Sequence, residues 1–222
     1  MWMKNYRYYL LTLAVIALDQ TVKLLIHFNL QLGGEIPIFG DWFKLHYTRN
    51  EGMAFGITLG WKYGKLTLSV FRLIAMFGIA WYLQVLARRG MRPGLLWCTA
   101  LILGGAMGNV IDSTLYGALL GLTSTNAPTP WFHGEVIDMF YLDMWQGVVP
   151  EWVPFFGGEF TSLWPIFNVA DASIFVGVTL ILIFQKRYFA EKGTPEVPVA
   201  ATPHPSTELA PEGSLPPPET RV

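Results

Sequence analysis

"LLWCTALILGGAMGNVID", residues 95–112, runs for seventeen residues without a charge before it reaches Asp112. A helix of about 20 predominantly apolar residues crosses the hydrocarbon of a bilayer. Three more stretches of this kind occur, so spans are expected near residues 8–28, 65–87, 94–115 and 165–185. With 52% hydrophobic and only 14% charged residues among 222, the chain reads as a small integral membrane protein. The expected fold is mainly α: four transmembrane helices, a small extracytoplasmic β-strand element and an aromatic-rich outer loop.

The first span contains Asp19 and Lys23 and has no small-residue cleavage site behind it, so it is expected to stay in the mature chain rather than leave as a signal peptide. Basic residues orient the bundle. Lys4 and Arg7 precede span one, Arg88, Arg89 and Arg92 fill the turn between spans two and three, and Lys186, Arg187 and Lys192 follow span four. By the positive-inside rule these regions and both termini are cytoplasmic, which puts segments 29–64 and 116–164 outside. No Lys or Arg occurs between Arg92 and Lys186, in keeping with an outward-facing segment before span four. Lys44, Arg49, Lys62 and Lys65 between spans one and two weaken the asymmetry without reversing it.

Residues 1–189 therefore form the expected transmembrane domain, and 190–222, rich in Pro, Ala, Thr and Glu, a disordered cytoplasmic tail. The net charge of −1 excludes no partner, but there is no basic nucleic-acid footprint, no nucleotide-binding glycine loop and no metal spacing such as HExxH. Cys98, the single cysteine, lies within span three and reads as buried packing.

Two outer segments carry pattern. Residues 41–57, "DWFKLHYTRNEGMAFGI", begin with alternation and enter a glycine-containing turn, as expected of a strand or hairpin on the membrane surface. Residues 116–164 contain Trp131, Trp145, Trp152, Phe155, Phe156 and Trp164, a density that favours the bilayer interface. One or two short amphipathic helices or a clasping loop are expected there.

Ionisable residues at membrane depth are costly, and mark function by default. Asp19 and Lys23, four apart, share a helix face and form an expected ion pair. Gly104 and Gly108 allow close helix approach, whereas Asn109 and Asp112, three apart, need polar partners if buried. Asn168 and Asp171 repeat that spacing where span four enters the bilayer. Asn50, close to Gly52, fits a turn on conformational grounds alone. The outer half of the bundle thus collects Asp19, Asp112, Asp138 and Asp171, with Lys23 as the one internal cation identified. Two such carboxylates at short distance share a proton, one acting as general base on water and the other as general acid. The serines sit in no GxSxG turn, and no histidine is paired with a nucleophile by motif. Spacing alone leaves open which carboxylates pair, and leaves ion pairing as the alternative to catalysis.

Five motifs in order resemble the lipoprotein signal peptidases (signal peptidase II): "LDQTVK" at 18–23, "TRNEGMAFG" at 48–56, "GGAMGNVID" at 104–112, "VIDMF" at 136–140 and "FNVADASI" at 167–174. The resemblance covers about residues 8–186. It implies an intramembrane aspartyl endopeptidase with Asp138 and Asp171 as catalytic dyad, and Asp19, Lys23, Asn50, Gly105, Asn109, Asp112, Asn168 and Ala170 as substrate-binding or supporting positions. The implied substrate is a diacylglyceryl-modified prolipoprotein, cut just before the lipid-modified cysteine. Membrane lipids and a globomycin-type inhibitor are the implied partners, with no metal or organic cofactor and no nucleic acid. The implied place is the bacterial cytoplasmic (inner) membrane, with the active site near the outer face. Two departures stand out. Many members of the family have an arginine directly after the aspartate of the third motif, where this chain has Ser113, and the stretches from Asp112 to Asp138 and from Asp143 to Pro165 are longer than the compact pattern. A non-catalytic binder of lipidated peptides and a small proton-coupled transporter are the alternatives, although a transporter normally needs more spans or an inverted repeat.

Overall fold

The computed structural model describes residues 5–51, 63–124, 127–144, 146–148, 150–152, 158, 160–162 and 164–189. Four of its helices are long and apolar enough to cross a membrane: α1 (Tyr6–Asn29), α2 (Gly64–Arg88), α3 (Pro93–Ile111) with its continuation to Leu120, and a last helix beginning at Val169. Buried residues on α1 fall at Tyr8, Thr12, Val15, Asp19, Lys23 and Ile26, spaced three or four apart, which is one face of a helix. Opposite it, Leu10, Leu13, Leu18, Leu25 and Phe28 are exposed, the pattern of a helix whose other face meets lipid.

Helix α3 is the hub, packed against α1, α2 and the last helix. Its glycines explain the closeness. A Cβ at Gly104 would press on Val15 of α1, one at Gly105 would collide with the carbonyl oxygen of Ala170, and one at Gly108 would meet the Asp19 carboxylate at 2.5 Å. Hydrophobic packing on one side of this hub joins Tyr8, Leu83, Leu86, Leu95, Leu96, Ala100 and Leu103. At its far end α3 passes into one π-helical turn, Asp112–Tyr116, and then into α4 (Gly117–Leu120), which ends at Gly121 with φ +68°. Span three thus runs five residues past its expected end.

The segments that connect the helices form a three-stranded antiparallel sheet in the order β1 (Glu35–Phe39), β2 (Phe43–Asn50), β3 (Val136–Leu142). The strand expected within 41–57 is β2, and the partner that makes a hairpin with it, β1, precedes that segment. The part of that segment from 52 to 57 lies outside the described residues. The third strand corrects the expectation of amphipathic helices in 116–164: "VIDMFYL" joins the sheet, and β4 (Gln146–Val148) and β5 (Phe160–Ser162) form a second antiparallel pair. Its first four residues are buried on both faces, so no alternation betrays it as a strand. Trp131 and Trp152 are exposed, as interface residues would be, while Trp145, Phe155 and Phe156 lie outside the described residues.

Helix α5 (Val169–Phe189) starts four residues later than expected. The reason is backbone pairing: Phe167 exchanges hydrogen bonds with Phe140, N–H to O at 3.1 and 2.8 Å, and this holds the chain extended up to Asn168.

Candidate active site

The Phe140–Phe167 pairing brings Asp138, two residues back along β3, beside Asn168 at the start of α5. Asn168 caps that helix. Its Oδ1 accepts the backbone N–H of Asp171, the third residue of α5, at 2.9 Å, satisfying one of the N–H groups a helix start leaves unpaired. A second, that of Ala170, donates to Asp19 Oδ1 at 2.9 Å. The three-residue spacing of Asn168 and Asp171, read from sequence as two residues on one helix face, is thus a capping interaction. Asp171 sits in the first helical turn, where a carboxylate complements the helix dipole.

Fully buried Lys23 organises the other side. Its ammonium reaches Asp19 Oδ2 at 2.9 Å, Asp112 Oδ2 at 2.7 Å and Asn109 Oδ1 at 3.1 Å. These match its three N–H donors. Gln20 donates through Nε2 to Asp112 Oδ1 at 2.9 Å, and its Oε1 accepts the Tyr116 hydroxyl at 2.9 Å.

Lysine has no acceptor, so Asn109 must turn its carbonyl to Lys23 and its amide away. That amide donates to Asp171 Oδ1 at 2.8 Å. By the same logic, Asn168 Oδ1 is held by a backbone N–H, so its Nδ2 must donate outward, and it meets Asp138 Oδ1 at 2.6 Å. Asn50 completes the set through Nδ2 to Asp138 Oδ2 at 3.1 Å. It stands at the end of β2, paired with Val136 one residue pair along from Arg49↔Ile137, rather than in a turn. The ion cluster therefore orients Asn109, the start of α5 orients Asn168, and these amides in turn orient Asp171 and Asp138.

Asp138 is 1% exposed. Burial, and next the negative charge of Asp171, push its carboxyl up to about 7, against the opposing effect of the Asn50 and Asn168 amides. A buried carboxyl poised there, beside a second carboxylate, can give or take a proton at neutral pH. Among the described residues no group of three or more His, Cys, Asp or Glu is placed to hold a metal ion.

All ten residues singled out from the sequence meet in this region, Gly105 through the close approach to Ala170. Three more belong to it and were not identified from sequence. Gln20 and Tyr116 are two, joined to Asp112. The third corrects the expectation that Lys23 is the one internal cation: Arg72 of α2 donates through Nη1 to Ser113 Oγ at 2.9 Å. A lone charge in the apolar stretch "VFRLIAMFG" was the signal that could have found it.

Four apolar helices around a buried carboxylate and amide network define a multi-pass membrane protein with a site suited to acid–base chemistry. The chain belongs to the signal peptidase II family: residues 11–186 match Signal peptidase (SPase) II, Peptidase_A8, which makes it a protease of the bacterial inner membrane. Among its relatives, a lipoprotein signal peptidase of Amoebophilus asiaticus is 45% identical over 183 residues, 81% of this chain and 78% of that one. Those of Porphyromonas gingivalis and Chlorobaculum parvum are 38% and 36% identical, covering 80% and 82% of this chain and 81% and 97% of theirs. A bacterial membrane enzyme solved by the in meso method at 2.3 Å shares the fold, with a TM-score of 0.55 at 24% identity over 86% of this chain and 94% of that one.

Proposed function

We propose that this protein removes the signal peptide from diacylglyceryl-modified prolipoproteins, cutting just before the lipid-modified cysteine, with Asp138 and Asp171 as an aspartyl dyad. The observation that carries this is Asn168: its amide donates to the buried carboxyl of Asp138, poised near neutrality, while its Oδ1 accepts the backbone N–H of Asp171, so one residue fixes the two aspartates relative to each other.

In the proposed step, ionised Asp171 takes a proton from water while protonated Asp138 donates to the scissile carbonyl oxygen. The C–O bond that forms gives a tetrahedral diol. Its collapse re-forms the C=O bond and breaks the C–N bond: Asp171 passes its proton to the leaving amine while Asp138 takes one back from a diol hydroxyl, and the products are a free acid and a new N-terminal cysteine. Every proton taken is returned, and no other reactant is needed. Asp19, Lys23, Asn109, Asp112 and Asn168 support the dyad, and Gly105 and Ala170 let α3 and α5 close behind it. The Asn50 amide holds Asp138 from the sheet side. In this reading both chain ends are cytoplasmic, which the basic residues flanking the spans support, and the dyad lies near the outer face, where a lipid-anchored substrate enters sideways from the bilayer. Globomycin-type cyclic peptides are expected to block the same cleft.

Purified protein given a diacylated prolipoprotein peptide should release the signal peptide, and Asp138→Asn and Asp171→Asn should each abolish release. Binding without cleavage by the intact chain would favour a lipopeptide binder. Undiminished cleavage by either variant would remove the dyad.

A further inference from the structure

Charge balance around the dyad leaves a question that Lys23 does not answer. Its three donors are committed to Asp19, Asp112 and Asn109. Even with Asp138 protonated, the carboxylates of Asp19, Asp112 and Asp171 outnumber that one cation. Asp19 and Asp112 are fully buried and Asp171 half-buried, and unbalanced charge so placed is costly enough that a second cation is expected.

Arg72 meets the requirement. It is half-buried on α2, and its guanidinium reaches the residue that follows Asp112, one turn along from Asn109, whose amide holds the Asp171 carboxylate. Its place is fixed from both sides. Ser113, fully buried, accepts from Nη1, and Ser113 is itself held where its carbonyl accepts the N–H of Gly134 at 3.0 Å. Three residues earlier on α2, the Ser69 hydroxyl donates to the Phe132 carbonyl at 2.7 Å. Adjacent residues on a helix point about 100° apart. Asp112 can therefore reach back to Lys23 of α1 while its neighbour Ser113 reaches α2, at the opening of the π turn.

Resting on the peptidase assignment above, we propose that Arg72 is a positioning residue of the reaction: tethered by Ser113, it supplies from α2 the positive charge that keeps one member of the Asp138/Asp171 pair ionised while the other carries the proton. This accounts for the serine that follows Asp112. The charge comes from the neighbouring helix, and the small hydroxyl makes room for it and holds it. A guanidinium suits the task, because it stays charged when desolvated and offers several donors in one plane.

The test uses the full chain in lipid nanodiscs and a diacylated prolipoprotein peptide. Arg72→Gln should lower kcat by about 10- to 100-fold with little change in KM. It should also move the acidic limb of the pH profile upward by about one unit, because the base carboxylate becomes harder to ionise. Arg72→Lys should stay within about tenfold of the parent with its limb in place. Adding Ser113→Arg to Arg72→Gln should recover at least about tenfold of the lost rate. A folded Arg72→Gln protein with the parental rate and pH limb overturns the proposal, as does an equal loss in the Gln and Lys variants without any shift of the limb. Should Arg72→Gln not fold, Arg72→Lys decides: a displaced limb or a loss above about 100-fold refutes the role. If the intact chain fails to cleave, or the Asp138→Asn and Asp171→Asn variants cleave, the peptidase assignment fails instead of this one.

Discussion

Asp138→Asn should inactivate the protein and also make it more stable, by an amount that depends on pH. The carboxyl rises from 3.8 to about 7 on folding, mainly because it is buried and then because Asp171 is near. Between those values the folded chain holds a proton that the unfolded chain has released, so stability falls as pH rises through this window. Relative to a side chain that never ionises, Asp138 costs roughly 4 kcal/mol at pH 8 and roughly 2 kcal/mol at pH 5. Asparagine removes this term but has one acceptor where aspartate has two, and the amides of Asn50 and Asn168 each require one. The mismatch costs about 1–2 kcal/mol. A net gain of roughly 2 kcal/mol, or ~5 °C in Tm, is expected at pH 8, shrinking to about zero at pH 5. Thermal unfolding in detergent, followed by the fluorescence of the nine tryptophans, measures both. A variant that melts below the parent at pH 8, or a difference that does not change with pH, would refute the assignment of a burial-raised carboxyl to this position.

The ion cluster and the helix contact give two further expectations. Lys23→Met leaves Asp19 and Asp112 buried without their cation and should destabilise by about 3–5 kcal/mol; adding Asp19→Asn and Asp112→Asn should return much of that stability without returning full activity, since Asn109 is no longer oriented. Gly105→Ala drives a methyl into the Ala170 carbonyl and should cost about 1–3 kcal/mol by pushing α5 from α3, which chemical denaturation and cleavage assays would both register.

How much of this was legible in the sequence differs by residue. The four spans announce themselves because lipid leaves no choice but a long apolar helix. Asp19 and Lys23 meet as their spacing requires, since both lie on one regular helix. The proposed pairing of Asp138 with Asp171 was not legible from spacing, by which Asp19 and Asp112 were equal candidates; the motif resemblance alone separated them. Strand β3 was hidden because burial on both faces erases alternation. Helix α5 began late because Phe167 pairs with a backbone 27 residues away, and no local propensity encodes that. Arg72 carried a visible signal, but its meaning lay in Ser113, 41 residues distant on another helix.

The Phe140–Phe167 pairing has a consequence for how such a protein can vary. Main-chain hydrogen bonds clamp the two ends of the intervening loop, so what lies between them is a closed excursion whose length does not enter the position of either aspartate. Lengthening a closed loop costs little entropy. The residues between Asp143 and Pro165 can therefore be remodelled while the register of Asp138 and Asp171 stays fixed, whereas a single residue inserted between Asp138 and Phe140, or between Phe167 and Asp171, would break it.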